Sequence, residues 1–225
     1  MIPWECIDRA EVPGMGDELV FYKRNEEYSI RTGGFELMNS RAHGSEDALS
    51  ALTLKKLAEP DPKILIGGLG MGYTLSAALK CLNEVGEVHV AELIPAVVRW
   101  NRKYLGHLAD YPLSDSRVRV FEADVAGIIK KASNIYDAIL LDVDNGPEGL
   151  TRKDNDQLYN MTGLAAAKRA LKPSGILAVW SSSPNEAFTK KLEKAGFKVE
   201  VRQVHARNSR KGGRHTIWFA FRGVV

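Results

Sequence analysis

Residues 64–72 read Ile64-Leu65-Ile66-Gly67-Gly68-Leu69-Gly70-Met71-Gly72, and this stretch decides how the rest of the chain is read. An apolar run breaks into alternating glycines and then into a helical pattern from Tyr73 to Leu82. A buried parallel strand turns into a helix in this way beneath a nucleoside-bearing ligand. Gly68, Gly70 and Gly72, with Met71 between the last two, remove side chains where the backbone must turn tightly and approach that ligand. The helix that follows would point its positive N-terminal end at the same place.

Working outward from Lys63, strand and helix alternate. The strands are expected at Ile64–Gly68, Glu87–Leu93, Arg117–Asp124, Asp137–Asp144 and Gly175–Ser183, with helices between them. Pro95 suits the first turn of its helix. The chain closes on Phe197–Val204 and His215–Phe221, adjacent strands that form an antiparallel hairpin at a sheet edge. The expected fold is α/β, a Rossmann-like class I methyltransferase fold whose mostly parallel sheet ends in an antiparallel hairpin. Residues 1–44 are expected to be a small β-rich appendage, with strands near 19–22, 28–31 and 35–38. Such a sheet needs a partner surface. Residues 45–225 form the nucleoside-binding domain. Ser45 is expected to cap a helix that Pro60 and Pro62 bring to an end.

The chain has 225 residues and a formal net charge of +3, so nothing global calls for a nucleic acid. The basic stretch His205–His215, with Arg207, Arg210, Lys211 and Arg214, reads as a solvated hairpin tip because no aromatic is interleaved in it. No apolar run is long enough to cross a bilayer. Cys6 and Cys81 are far apart and are expected as reduced, partly buried thiols. These features give the expectation of a cytoplasmic protein without membrane or nucleic-acid partners and without a metal.

Ligands of open parallel sheets sit at the carboxyl ends of the strands. After the second strand stands Glu92, with Leu93 beside it. A carboxylate there can accept from a ribose diol, or it can cap the helix at Pro95. After the third come Asp124 and Val125, placed to meet an adenine ring, or simply to start the next helix. After the fourth come Asp142, Asp144 and Asn145. Asp142 interrupts an apolar run and needs a partner there. Asp144 and Asn145 read equally as turn residues. Upstream, the segment around Ser45 would lie near the site opening, and His43 or Glu46 is expected to contact the ligand or acceptor, with a helix-capping turn as the alternative. Trp180 either stacks on a ligand or fills the core.

These segments carry a resemblance. From Lys63 to Ser183 the chain resembles the polyamine aminopropyltransferases, the spermidine synthase family, which share the class I methyltransferase fold. ILIGGLGMG resembles that family's GGGDGG loop, VAELIPAVV its VEIDPxVV segment, FEADV its GDA and YDAILLDVDNGP its YDVIIVDSSDPxGP. LYNMTGLAAAKRALKPSGILAV resembles LFTxEFYxxxxxxLxPGGxLV. The resemblance implies ribose binding by Glu92, an adenine contact at Asp124 and a catalytic acid at Asp142, with Asp144 assisting. It also implies a homodimer. The chain departs from the pattern in three places. Its loop has no acid between Gly67 and Gly72, the second acid of DSSDP falls on Asn145, and the segment Asn39–Asp47 lacks the tyrosine of the family's DExxYHE.

The expected function is therefore a spermidine synthase-like transferase. It would bind S-adenosylmethionine or decarboxylated S-adenosylmethionine and pass an alkyl group to a small amine acceptor. An S-adenosylmethionine-dependent methyltransferase and a non-catalytic nucleoside-binding or scaffold protein are the alternatives.

Overall fold

The structure, a computed structural model, describes residues 2–13, 16–143, 156–206 and 213–223. Asp144, Asn145 and the basic residues Arg207, Arg210 and Lys211 lie outside them.

Four antiparallel strands come first: β1 (Glu5–Glu11), β2 (Glu18–Arg24), β3 (Glu27–Thr32) and β4 (Phe35–Asn39), in spatial order β1-β2-β3-β4. The first of them is absent from the sequence reading. ECIDRAE has little apolar alternation because it is an edge strand, and its register shifts between Cys6 and Asp8. Both cysteines are free and exposed, not partly buried. The inner face of this sheet is anchored by Phe21, fully buried and stacked 5.0 Å from Trp100. The Trp100 indole N–H also donates to Asp8 at 2.7 Å.

Helix α1 (Gly44–Leu54) leads into the main sheet. Its N-cap is His43, whose side chain makes no capping bond, so Ser45 lies inside the first turn and its hydroxyl is used elsewhere. The helix also stops well before Pro60. Next come β5 (Lys63–Gly67), α2 (Tyr73–Cys81), β6 (Glu87–Glu92), α3 (Pro95–Trp100), β7 (Val118–Glu122), α4 (Val125–Lys131) and β8 (Tyr136–Leu141). The chain finishes with α5 (Asp156–Tyr159), α6 (Met161–Ala170), β9 (Leu171–Ser181), α7 (Glu186–Lys194), β10 (Phe197–His205) and β11 (Arg214–Arg222). The sheet order is β10-β11-β9-β8-β5-β6-β7, parallel from β9 to β7 and antiparallel at β10 and β11. This is the expected fold class.

Two single helices of the sequence reading are broken. The helix from Pro95 ends at Trp100 and continues as a wider turn over Asn101–Leu105 and a tighter one over Gly106–Ala109. There the Asn101 side chain donates to the carbonyls of Val97 and Gly70, tying the helix to the glycine loop. The helix before β9 breaks at Asn160, whose side chain accepts from Gly163 and caps α6. Gly163 is required there because a Cβ would collide with the carbonyls of Gln157 and Leu158.

The sheet side chains alternate with period two. Ile64 and Ile66 join α1, α2, α3 and the N-terminal sheet in one core, while Leu65 joins α4, α6 and α7 in the other. Strand order reverses at β5, between β6 and β8, so a crevice opens at the carboxyl ends of β5 and β8.

Candidate active site

Two adjoining cavities occupy that crevice. The larger, about 890 Å³ counting the solvent at its open mouth, is walled by the ends of β5 and β6, the start of α4, and the N-terminal sheet through Leu19, Leu37 and Met38. Gly68, Gly70, Glu92, Leu93, Asp124, Val125 and Asp142 all line it. The smaller cavity is walled by Glu46, Met71, Tyr73, Thr74, Asp142 and Trp180, and it shares Leu37, Met38, Gly70 and Asp142 with the larger one.

The glycine loop is built by close approach. Gly68 has φ +89°, and a Cβ there would run into the Asp142 carbonyl. Gly70 passes beneath Met38, whose sulfur lies 3.5 Å from where its Cβ would be. Gly72 lines neither cavity. With φ +86° it caps α2, and a Cβ would press on Asn101 and Pro112, so it serves packing. Met71 faces the smaller cavity, not the larger.

Glu92 is 7% exposed and holds the loop in place: it accepts from Leu69 N–H at 2.9 Å and from Ile94 N–H at 2.9 Å. Burial pushes its carboxyl upward, and backbone amides at Ile94, Leu69, Leu93 and Gly70 pull it back. The helix-capping role and the cavity-lining position therefore coexist. The same holds for Asp124, which caps α4 by accepting from Ala126 N–H at 2.9 Å while standing in the cavity wall. Val125 closes that wall against Gly67, where a Cβ would press on its methyl groups.

Asp142 follows β8 directly and stands where the cavities meet. Its partner is Thr74, whose hydroxyl donates to Oδ2 at 2.5 Å. Loss of solvation raises its carboxyl to about 6, against the pull of that bond. Glu46 reaches the smaller cavity from the first turn of α1. Burial and the charge of Asp142 push it up to about 7. His43 lines neither cavity. Its Nδ1 is 2.9 Å from Asp47 Oδ2, which raises its pKa, and its ring stacks on Tyr73 at 4.2 Å. Burial and the acids Glu46 and Asp47 drive the Tyr73 hydroxyl up to about 12, and it donates to the Ser40 carbonyl. Trp180 belongs to the core and also walls the smaller cavity.

Sequence reasoning missed Thr74, Tyr73 and the contribution of β4. Thr74 carried a weak signal, one residue inside the helix after the loop. Met38 and Leu37 carried none, since nothing local says that β4 lies over the glycines. No cluster of metal-ligating side chains occurs among the described residues.

Comparison with known proteins bears on the fold and the family. A solved spermidine synthase in complex with the transition state analogue AdoDATO superposes with a TM-score of 0.76 at 19% identity, covering 100% of this chain and 75% of that one. The Thermotoga maritima spermidine synthase gives a TM-score of 0.76 at 18% identity, covering 98% of this chain and 73% of that one. Among curated proteins, a polyamine aminopropyltransferase of Prochlorococcus marinus (strain MIT 9215) is 29% identical over 136 residues, 60% of this chain and 45% of the relative. Polyamine aminopropyltransferase 1 of Streptomyces coelicolor is 30% identical over 156 residues, 66% of this chain and 28% of the relative. The chain thus spans less than half the length of these curated relatives. The family model for the spermine/spermidine synthase domain matches residues 46–206, from the cavity acid of α1 to the end of β10, and the chain belongs to that family.

Proposed function

We propose that the protein transfers an aminopropyl group from decarboxylated S-adenosylmethionine to a small amine acceptor. One observation carries the choice of donor. The carboxylates lining the joined cavities are Asp17, Glu92, Asp124, Asp142 and Glu46, and among the described residues no Lys, Arg or His lines either cavity. Intact S-adenosylmethionine would bring its own carboxylate into this field without a cationic partner. The decarboxylated donor brings only a sulfonium and an ammonium, and the acceptor brings further ammonium groups, so each charge meets one of opposite sign. The loop without an acid, with Gly70 at its centre, favours the intact donor and methyl transfer, but it removes one carboxylate from a set that retains five.

In this reading the nucleoside lies against Glu92 and Asp124, and the sulfonium lies at the junction of the cavities beside Asp142. The acceptor enters through the smaller cavity. Thr74 occupies one oxygen of Asp142 and so orients the other toward the amine. Asp142 takes one proton from the acceptor ammonium. The freed lone pair forms a bond to the carbon attached to sulfur, the carbon–sulfur bond breaks, and its electron pair leaves on a neutral thioether. One proton is released per turnover. Two free cysteines accord with a cytoplasmic location. The exposed Phe35, 75% accessible, would serve a homodimer contact, which light scattering of wild type and Phe35→Ser tests.

The direct test of the donor is calorimetric titration with S-adenosylmethionine and, separately, its decarboxylated form. Tighter binding of the decarboxylated donor by about tenfold or more is expected. Equal or tighter binding of the intact donor would replace this reading with methyl transfer.

A further inference from the structure

The released proton must leave a cavity whose walls are largely buried, and the structure supplies a hydrogen-bonded chain leading out of it. The Ser45 hydroxyl, on a fully buried residue, donates to Glu46 Oε2 at 2.5 Å. The Ser45 Oγ itself lies 2.8 Å from His215 Nδ1, at the start of β11 and 170 residues away in sequence. The His215 ring is held edge-on against Trp180, 4.7 Å between centroids, and Trp180 walls the same cavity as Glu46. The Gly44 N–H donates to the Ala206 carbonyl at 3.0 Å, and Lys56 bonds Glu200 at 2.7 Å, so α1 is fastened to the hairpin at both ends of the contact.

We propose that Glu46, Ser45 and His215 form a proton relay that carries the proton of the acceptor ammonium out of the cavity. This role rests on the transferase reading above. A serine hydroxyl is both donor and acceptor, so the chain has two polarities. In one, His215 Nδ1–H donates to Ser45 and Ser45 donates to Glu46. In the other, protonated Glu46 donates to Ser45 and Ser45 donates to His215. Passing from the second to the first moves one proton from the Glu46 carboxyl to the imidazole, which is only partly buried and can release it to water. His215 is a positioning residue here, acting through Ser45 and not on the substrate. Burial lowers its pKa, so it is neutral and able to accept near neutral pH. The other groups facing Glu46 are Asp142 across the cavity, Tyr73 of α2, and His43 with its partner Asp47 on the same turn, with Lys80 acting on His43. Asp142 and Glu46 line one cavity and resist ionising together, so when Asp142 is ionised the proton is favoured on Glu46, where the chain begins.

Two measurements test the relay. The first follows the His215 imidazole by nitrogen-edited NMR across pH in wild type, Glu46→Gln and Ser45→Ala, without substrate. His215 titrates where Glu46 still holds most of its proton, so the coupling is expected as a second inflection of the wild-type imidazole signals near pH 7, where Glu46 ionises, and both Glu46→Gln and Ser45→Ala should lack it. The second is turnover. Ser45→Ala and His215→Gln are each expected to lower kcat about tenfold with donor affinity within about twofold of wild type, and the double variant should be no slower than either single one. Losses that multiply in the double variant, or an undiminished kcat in either single one, overturn the relay. So does a His215 titration indifferent to Glu46, even in an active enzyme. A wild type that turns over no amine while His215 still answers to Glu46 overturns the transferase reading instead and leaves the coupling demonstrated.

Discussion

Asp142 and Glu46 face one cavity without a described cation between them, and their pKa values, about 6 and about 7, follow from that placement. Both acids hold a proton more tightly folded than unfolded. Their contribution to stability is therefore present below the ordinary carboxylate range and is lost as pH rises through 6 and 7. The proposed transfer needs the opposite, ionised, form. The value of kcat/KM is expected to fall as pH drops from 7 toward 6, measurable as an acid limb in the rate profile. Asp142→Asn keeps an acceptor for Thr74 and removes the proton acceptor. It should lower kcat about a hundredfold or more, yet melt several degrees higher than wild type at pH 8, with the two melting curves converging only as pH falls below about 4. Glu92 behaves differently because backbone N–H groups face it. Glu92→Gln would set an amide N–H against one of them, and calorimetry should show donor affinity falling about tenfold or more. Glu92, Asp124 and Asp142 were legible in the sequence because each stands at or just past the end of a parallel strand, a position set by local pattern alone. Ser45 and His215 were not, since their pairing depends on how the C-terminal hairpin meets α1.

Among the elements, the turn from β5 to α2 constrains the site most tightly. Gly68 combines positive φ with contact against the Asp142 carbonyl, so a side chain meets both backbone strain and collision. Gly68→Ala is expected to destabilise the protein by about 2 kcal/mol or more in denaturant melts, and donor binding should be lost with it. The helices after β6 and before β9 show where element reading stopped short. Both carry unbroken helical periodicity, and each is interrupted by an asparagine whose side chain bonds the backbone, Asn101 to Val97 and Gly70, Asn160 to Gly163. Apolar spacing does not register such a bond. Strand β1 was lost for a related reason. An edge strand with a shifted register has no alternation to read.

At the scale of the whole molecule, the N-terminal sheet is part of the candidate site, because Leu19, Leu37 and Met38 wall the cavity that β5 and β6 open. Phe21 pins that sheet to Trp100 from a fully buried position. Phe21→Ala is expected to cost about 3–5 kcal/mol in stability and to weaken the donor's affinity as well, read by denaturant melts and calorimetry on the same preparation. A substitution that weakened stability alone would show the sheet to be a prop and not a wall. The sequence by itself determined the α/β class, the parallel order with its terminal hairpin, and the strand-end acids. Each of these depends on periodicity or on a residue's place relative to its own strand, and both are local. Only the tertiary structure decided that β4 covers the glycine loop, that Glu46 shares a cavity with Asp142, and that His215 reaches Ser45. Those contacts join residues tens to hundreds of positions apart, and they are settled by how buried faces of separate elements pack together, which no window of sequence contains.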